Sequence, residues 1–170
     1  QNGGNWSSGV PDATDVVIIP DEANDPTISS GAVAKTLTIQ NGAVLTITSG
    51  GTLSINGSMT EQGLLNQGTV DNSGILNIGN TNGNGWYGIR NEGTFSNNPN
   101  GIINIDRSTD AGLYNVSGVF TNQGEIIIGG IANSGYYGIS NNTEFNNNTG
   151  GNININQVTS VGILHQSDIF

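Results

Sequence analysis

The sequence predicts an all-β solenoid: a single-stranded right-handed parallel β-helix of about 25 residues per coil, with an N-terminal cap. Three observations carry this. Phe95, Phe120, Phe145 and Phe170 recur at intervals of 25 residues. The stretch from Trp86 to Asp106 aligns without a gap on Tyr136 to Asn156, an offset of 50 residues, with a half-period copy starting at Ala111 between them. Elsewhere short apolar/polar alternations are broken by Gly and Asn, with no helical periodicity. A fixed period of this length means a unit that cannot bury its apolar face alone and must stack on its neighbours.

The elements follow in chain order. Residues 1–30 read as an irregular N-terminal cap with Pro11, Pro20 and Pro26, one short apolar strand at Val16–Ile19, and Trp6 as an apolar plug. Residues 31–170 read as coils. Leu37/Ile39, Leu45/Ile47 and Leu53/Ile55 place apolar pairs every eight positions, so three such strands close a coil of about 24 residues. Glycine between the strands is expected to supply the positive φ of sharp corners.

Later coils stack column on column. One strand type presents Leu64, Ile89, Leu113, Ile139 and Ile163; a second presents Val70 and then the core column Phe95, Phe120, Phe145 and Phe170. The third presents Leu76/Ile78, Ile103/Ile105, Ile126/Ile128 and Ile153/Ile155, following Gly74, Gly101, Gly124 and Gly151. Tyr87, Ala111, Tyr137 and Val161 fall at inward parity, alternating large and small as interdigitating layers would. The chain stops at Phe170 within a strand of the period, so the coils are expected to continue in a longer parent protein.

Two asparagine columns accompany the apolar ones. Asn66, Asn91, Asn115 and Asn141, followed by His165, stand two residues beyond the first apolar column; Asn72, Asn97, Asn122 and Asn147 stand two beyond the second. Stacked amides can bond coil to coil as polar ladders. The competing reading gives these residues left-handed corner conformations, which Asn tolerates. Both are structural.

Composition narrows the function. Three basic residues against thirteen acidic ones give a net charge of −10, which repels phosphate backbones and anionic headgroups, so nucleic-acid binding is disfavoured. Charged residues are only 9% of the chain, and solubility falls to Asn, Thr, Ser and Gly. There are no cysteines, hence no disulfides or thiolate metal sites, as fits an extracellular protein made rigid by stacking. No apolar run approaches the roughly 18 residues of a membrane span, so no membrane insertion is expected. The chain begins at Gln1 without Met, as a mature or trimmed protein would.

The opening carries a resemblance. Trp6-Ser7-Ser8-Gly9-Val10-Pro11, Asp15-Val16-Val17-Ile18-Ile19-Pro20 and the run KTLTIQNGAVLTITSGGTLSINGS from Lys35 resemble the start of secreted right-handed parallel β-helix proteins, many of them adhesin-like surface proteins of Bacteroidota. The resemblance covers the cap and first coil closely and the rest by rung pattern. It implies secretion to the cell surface, a long multi-coil parent, and a structural or adhesive role without catalysis. Partners would be other proteins or further copies meeting the open C-terminal coil, and surface glycans.

The chemistry-bearing residues are few. Polysaccharide hydrolases and lyases on this architecture need clustered carboxylates or a basic residue beside them. Here Asp106, Arg107 and Asp110 are the best cluster, and they read as a solvated corner with a surface ion pair. His165 stands in an Asn column, which suits hydrogen bonding. Asp21, Glu22 and Asp25 offer oxygen ligands for calcium in a loop without EF-hand spacing, although simple solvation is the commoner use of such acids. The binding candidates are aromatic: Trp86 and Tyr136 at outward parity two coils apart, with Arg90 and Tyr114 in the next outward column, a platform for sugar rings or a protein. Against this, Trp86 could fold under the adjoining 80–85 loop.

Overall fold

A computed structural model of the chain describes residues 10–57, 62–83 and 85–166. Trp6 and Phe170 lie outside the described residues. Among those described there is no helix; the chain winds through successive triplets of short strands. The first triplet is β1 (Val16–Ile19), β2 (Thr27–Ile28) and β3 (Gly31–Ala34); the second is β4 (Thr36–Ile39), β5 (Val44–Ile47) and β6 (Thr52–Ile55). The third is β7 (Leu64–Asn66), β8 (Thr69–Asn72) and β9 (Ile75–Ile78); the fourth is β10 (Tyr87–Asn91), β11 (Thr94–Asn97) and β12 (Ile102–Ile105). The fifth is β13 (Ala111–Asn115), β14 (Val119–Asn122) and β15 (Glu125–Ile128); the sixth is β16 (Tyr137–Asn141), β17 (Glu144–Asn147) and β18 (Asn152–Ile155). β19 (Val161–His165) follows.

Every pairing is parallel and links a strand to its counterpart one coil on. This builds three sheets: β1-β4-β7-β10-β13-β16-β19, β2-β5-β8-β11-β14-β17 and β3-β6-β9-β12-β15-β18. From Thr36 to Val161 the chain makes five coils averaging 25 residues. The predicted parallel solenoid and its period are therefore present.

The segment expected to be cap contributes β1 and β2, which join the first and second sheets, and β3 starts the third. The boundary expected at residue 30 thus falls inside a coil. This coil is short because β2 has only two residues and the corners after β2 and β3 are only Ser29-Ser30 and Lys35.

Register carries the core. Leu37, Leu64, Ile89, Leu113, Ile139 and Ile163 are successive partners in the first sheet, and Leu45, Val70, Phe95, Phe120 and Phe145 in the second. The phenylalanine rings stack at 4.7 Å between Phe95 and Phe120 and 5.1 Å between Phe120 and Phe145. Each ring so buried contributes about 1.5–3 kcal/mol, and each ring pair about 0.5–1.5 kcal/mol more.

The corner glycines serve two purposes, and the expected one, positive φ, holds at Gly42 and Gly57 in the corners after β4 and β6. Positive φ occurs at Gly42, Gly57, Gly79, Gly85, Gly129, Gly135 and Gly150, and at Asn100 and Arg107, but not at Gly74, Gly101, Gly124 or Gly151. Those four are glycine for lack of room. A Cβ on Gly124 would lie 2.2 Å from the Gly101 carbonyl oxygen, and one on Gly74 would lie 2.3 Å from that of Thr48.

The column Tyr87, Ala111, Tyr137 and Val161 is in register, yet its tyrosines are half-buried instead of filling the core. The inward position belongs to the following glycine. A Cβ on Gly88 would lie 2.3 Å from Ile105 Cγ2, on Gly112 2.6 Å from Ile128 Cγ2, and on Gly138 2.8 Å from Ile155 Cγ2. The third sheet's isoleucines press against bare backbone there; Tyr87 and Tyr137, which precede Gly88 and Gly138, stay half-buried, while the small Ala111 before Gly112 is fully buried.

Both asparagine columns form buried amide ladders. Asn66 Nδ2 donates to Asn91 Oδ1, Asn91 to Asn115 and Asn115 to Asn141, each at 2.8 Å. In the second sheet Asn72 donates to Asn97 and Asn97 to Asn122 at 2.8 Å, and Asn122 to Asn147 at 2.7 Å. Each amide below the last of its column also donates to a carbonyl of the coil above, as Asn66 does to Thr94 and Asn115 to Glu144, while Asn141 and Asn147 donate to Thr143 and Gly151 of their own coil. The first ladder ends where Asn141 Nδ2 meets His165 Nδ1 at 2.9 Å, so His165 continues the column, with Nδ1 as acceptor. Such amides satisfy one another in the interior, which the corner-conformation reading does not require.

Candidate binding face

The first sheet leaves the core at the corner that precedes it, and there the aromatic residues gather. The corner loops before β10 and β16 end in Trp86 and Tyr136. Backbone bonds place these residues in one column with Asp110 and Ser160: Asp110 N–H donates to Trp86 O at 2.9 Å, Tyr137 N–H to Asp110 O at 2.8 Å and Ser160 N–H to Tyr136 O at 3.1 Å. Trp86 is 63% exposed and Tyr136 51%, so Trp86 does not fold under its loop. Ile131, in the loop leading to Tyr136, is exposed as well.

Behind this stripe the side chains are fixed. Tyr136 meets Tyr137 edge-on at 4.9 Å, and Tyr87 lies 4.9 Å from Tyr114 at a tilt of 38°. Burial first, then the neighbouring Asp110 carboxylate, push the Tyr87 hydroxyl above the ordinary tyrosine pKa. Tyr114 accepts from Asn142 Nδ2 at 3.0 Å.

Arg90 and Tyr114 are register partners, as the column reading expects. The arginine is already engaged: its guanidinium lies 2.6 Å from Glu92 Oε1, and Gln67 donates to the other carboxylate oxygen at 3.0 Å. Trp86 and Tyr136 form the exposed surface, while Arg90 and Tyr114 support it from the side. Tyr87, Tyr137 and Asp110 belong to the same face and were not among the binding candidates: alternation assigned the tyrosines inward, and Asp110 was read with Asp106 and Arg107 as a solvated corner. The glycine recurring at 88, 112, 138 and 162 was the available signal.

The other candidates are placed differently. Asp21, Glu22 and Asp25 are all exposed, and no group of three or more acids or histidines able to hold a metal occurs among the described residues. Asp25 instead accepts from Val44 N–H at 2.8 Å, fixing the corner to the next coil, and the Asp21 carboxylate lies beside Gly42. Further along, Asp12 accepts from both the backbone and the hydroxyl of Thr14, which lowers its pKa.

The corner cluster is not the solvated ion pair expected. Asp106 is 2% exposed, and its Oδ1 accepts from Ile131 N–H at 2.9 Å and Ala132 N–H at 3.0 Å, shaping the loop of the next coil. Arg107, at φ 61°, donates to the carbonyls of Gly79 and Asn80 in the coil below. The two residues bind three coils' corners together. An Arg107→Ala change would remove those carbonyl bonds and lower the stability of the corner.

A family model described as Domain of unknown function (DUF8693) matches residues 1–98. The chain belongs to that family. The DUF8693 match spans the first three strand triplets and reaches past Trp86, while Asp110 and Tyr136 lie beyond it. No curated protein and no solved structure matches the chain.

Proposed function

We propose that the chain is a non-enzymatic structural and adhesive module, a rigid rod segment of a secreted surface adhesin or filament of the Bacteroidota type. The observation that carries this is the unbroken stacking from β1 to β19: three parallel sheets, apolar columns and two amide ladders run along one axis. Such a body resists bending because each displacement strains all three sheets and both ladders together. Two of the three members of the one candidate acid–base cluster, Asp106 and Arg107, direct hydrogen bonds to loop backbone. The net charge of −10 keeps the rod from phosphate-rich surfaces.

The test is surface labelling. Antibody raised against the chain should decorate intact producing cells, and its Fab should reduce their attachment to a substratum. Labelling only after permeabilisation would overturn the reading.

A second reading is a self-assembling filament subunit, its copies stacked coil on coil as the parallel sheets stack within the chain. Mass photometry across a concentration series should then show chains lengthening with concentration; a monomer throughout would exclude it.

A further inference from the structure

We propose that the stripe Trp86–Asp110–Tyr136 is a binding site for a neutral polysaccharide lying along the rod axis. Coils repeat at about 4.8 Å, so the two exposed rings stand about 10 Å apart with one carboxylate between them. Sugar rings offer apolar C–H faces that stack on aromatic rings, and hydroxyls that donate to a carboxylate. The stripe presents those two functions in alternation.

The rigidity of the site suits this ligand. Trp86 and Tyr136 end loops tied to adjacent coils by backbone bonds. Tyr137 braces Tyr136, and backbone bonds from Asp110 N–H to Trp86 O and from Tyr137 N–H to Asp110 O hold Asp110 between the two rings. Little ordering is left for binding to impose.

Charge selects the class of polymer. Of the two basic groups near this face, Arg90 is neutralised by Glu92 and Arg107 turns its guanidinium to the Gly79 and Asn80 carbonyls; Asp110 and the net charge of −10 leave the field negative, so uronic-acid or sulfated chains are repelled. Area argues against a protein partner: two aromatic side chains bury about 300–500 Å², short of the roughly 800 Å² per side of a standard protein interface.

The proposal deepens the adhesive half of the reading above, and the two fail separately: surface labelling reports where the rod stands, not what it holds. The experiment is affinity electrophoresis of the purified chain in native gels containing xylan, mannan, dextran or hydroxyethyl cellulose, with polygalacturonate as the anionic polymer. Retardation is expected in at least one neutral polymer and none in polygalacturonate. Trp86→Ala should weaken it about tenfold, Tyr136→Ala by a similar factor, and Ser96→Ala on the second sheet should leave it unchanged. Thermal melts should coincide for all four proteins, since Trp86 and Tyr136 are exposed. Absence of retardation in every neutral polymer, equal retardation of Trp86→Ala, or stronger retardation in polygalacturonate would each overturn the proposal.

Discussion

Asn66 is the lowest member of its amide column, and its Oδ1 is buried with no hydrogen-bond partner among the described residues, because the residue beneath it is Ile39. Asn97, in mid-column, accepts from Asn72 and donates to Asn122 and to the Glu125 carbonyl. Truncating a mid-column amide strands groups on both sides, whereas truncating the first strands only the one above. Asn97→Ala should therefore destabilise by about 2–4 kcal/mol, and Asn66→Ala by about 1–2 kcal/mol less, as read from urea denaturation. Equal costs would mean that the ladder contributes through volume alone. The Tyr87 hydroxyl gives a second residue-level outcome. Its folded pKa is raised above 10.0, so its contribution to stability is complete below 10.0 and is lost as pH rises through the folded value. Tyrosinate absorbance should contain a component titrating above 10.0 that moves down in Asp110→Asn. An unchanged curve would show that the Tyr87–Asp110 contact is not made in solution.

At the scale of strands and corners, bare backbone decides more than side chains do. A Cβ on Gly118 would sit 1.8 Å from the Gly93 carbonyl oxygen, while one on Gly31 would meet nothing within 4 Å. Gly118→Ala must force two coils apart and should destabilise by several kcal/mol or abolish folding, whereas Gly31→Ala should leave the melting curve where it is. Similar losses for both would refute the close stacking at this corner. The same distinction explains what could be read beforehand. The apolar and asparagine columns were legible because each side chain recurs at one strand position in every coil, and side-chain identity is what a sequence displays. The first coil was hidden by Pro20 and Pro26 and by the brevity of β2. The half-burial of Tyr87 and Tyr137 was hidden because period-two alternation presumes an even pleat. Packing of Ile105, Ile128 and Ile155 against Gly88, Gly112 and Gly138 breaks that pleat. Of the binding face, Trp86 and Tyr136 were therefore visible and Asp110 was not, being read only as part of a polar corner. The roles of Asp106 and Arg107 depend on loops one coil away, which no local pattern announces.

The whole molecule behaves as a one-dimensional stack, so its stability is a sum over coils and the interfaces between them. Long corners at 79–86 and 129–136 alternate with shorter ones at 106–110 and 156–160, which makes the true structural unit 50 residues, two coils together. This has a testable consequence. Deleting Ile89 to Gly138 removes one such unit and joins Gly88 to Ile139, so that Ile139 meets Leu64 where Ile89 did and every column closes again. The shortened chain should keep its β-type circular dichroism and unfold cooperatively, with a denaturant slope reduced in proportion to the surface it no longer exposes. Deleting one residue more, through Ile139, puts Ser140 into the apolar column and turns each later side chain to the opposite face until a corner absorbs the slip. That chain should lose the cooperative transition and aggregate. If the two deletions melted alike, in-register stacking of side chains would not be what holds the rod together, and backbone pairing alone would have to suffice.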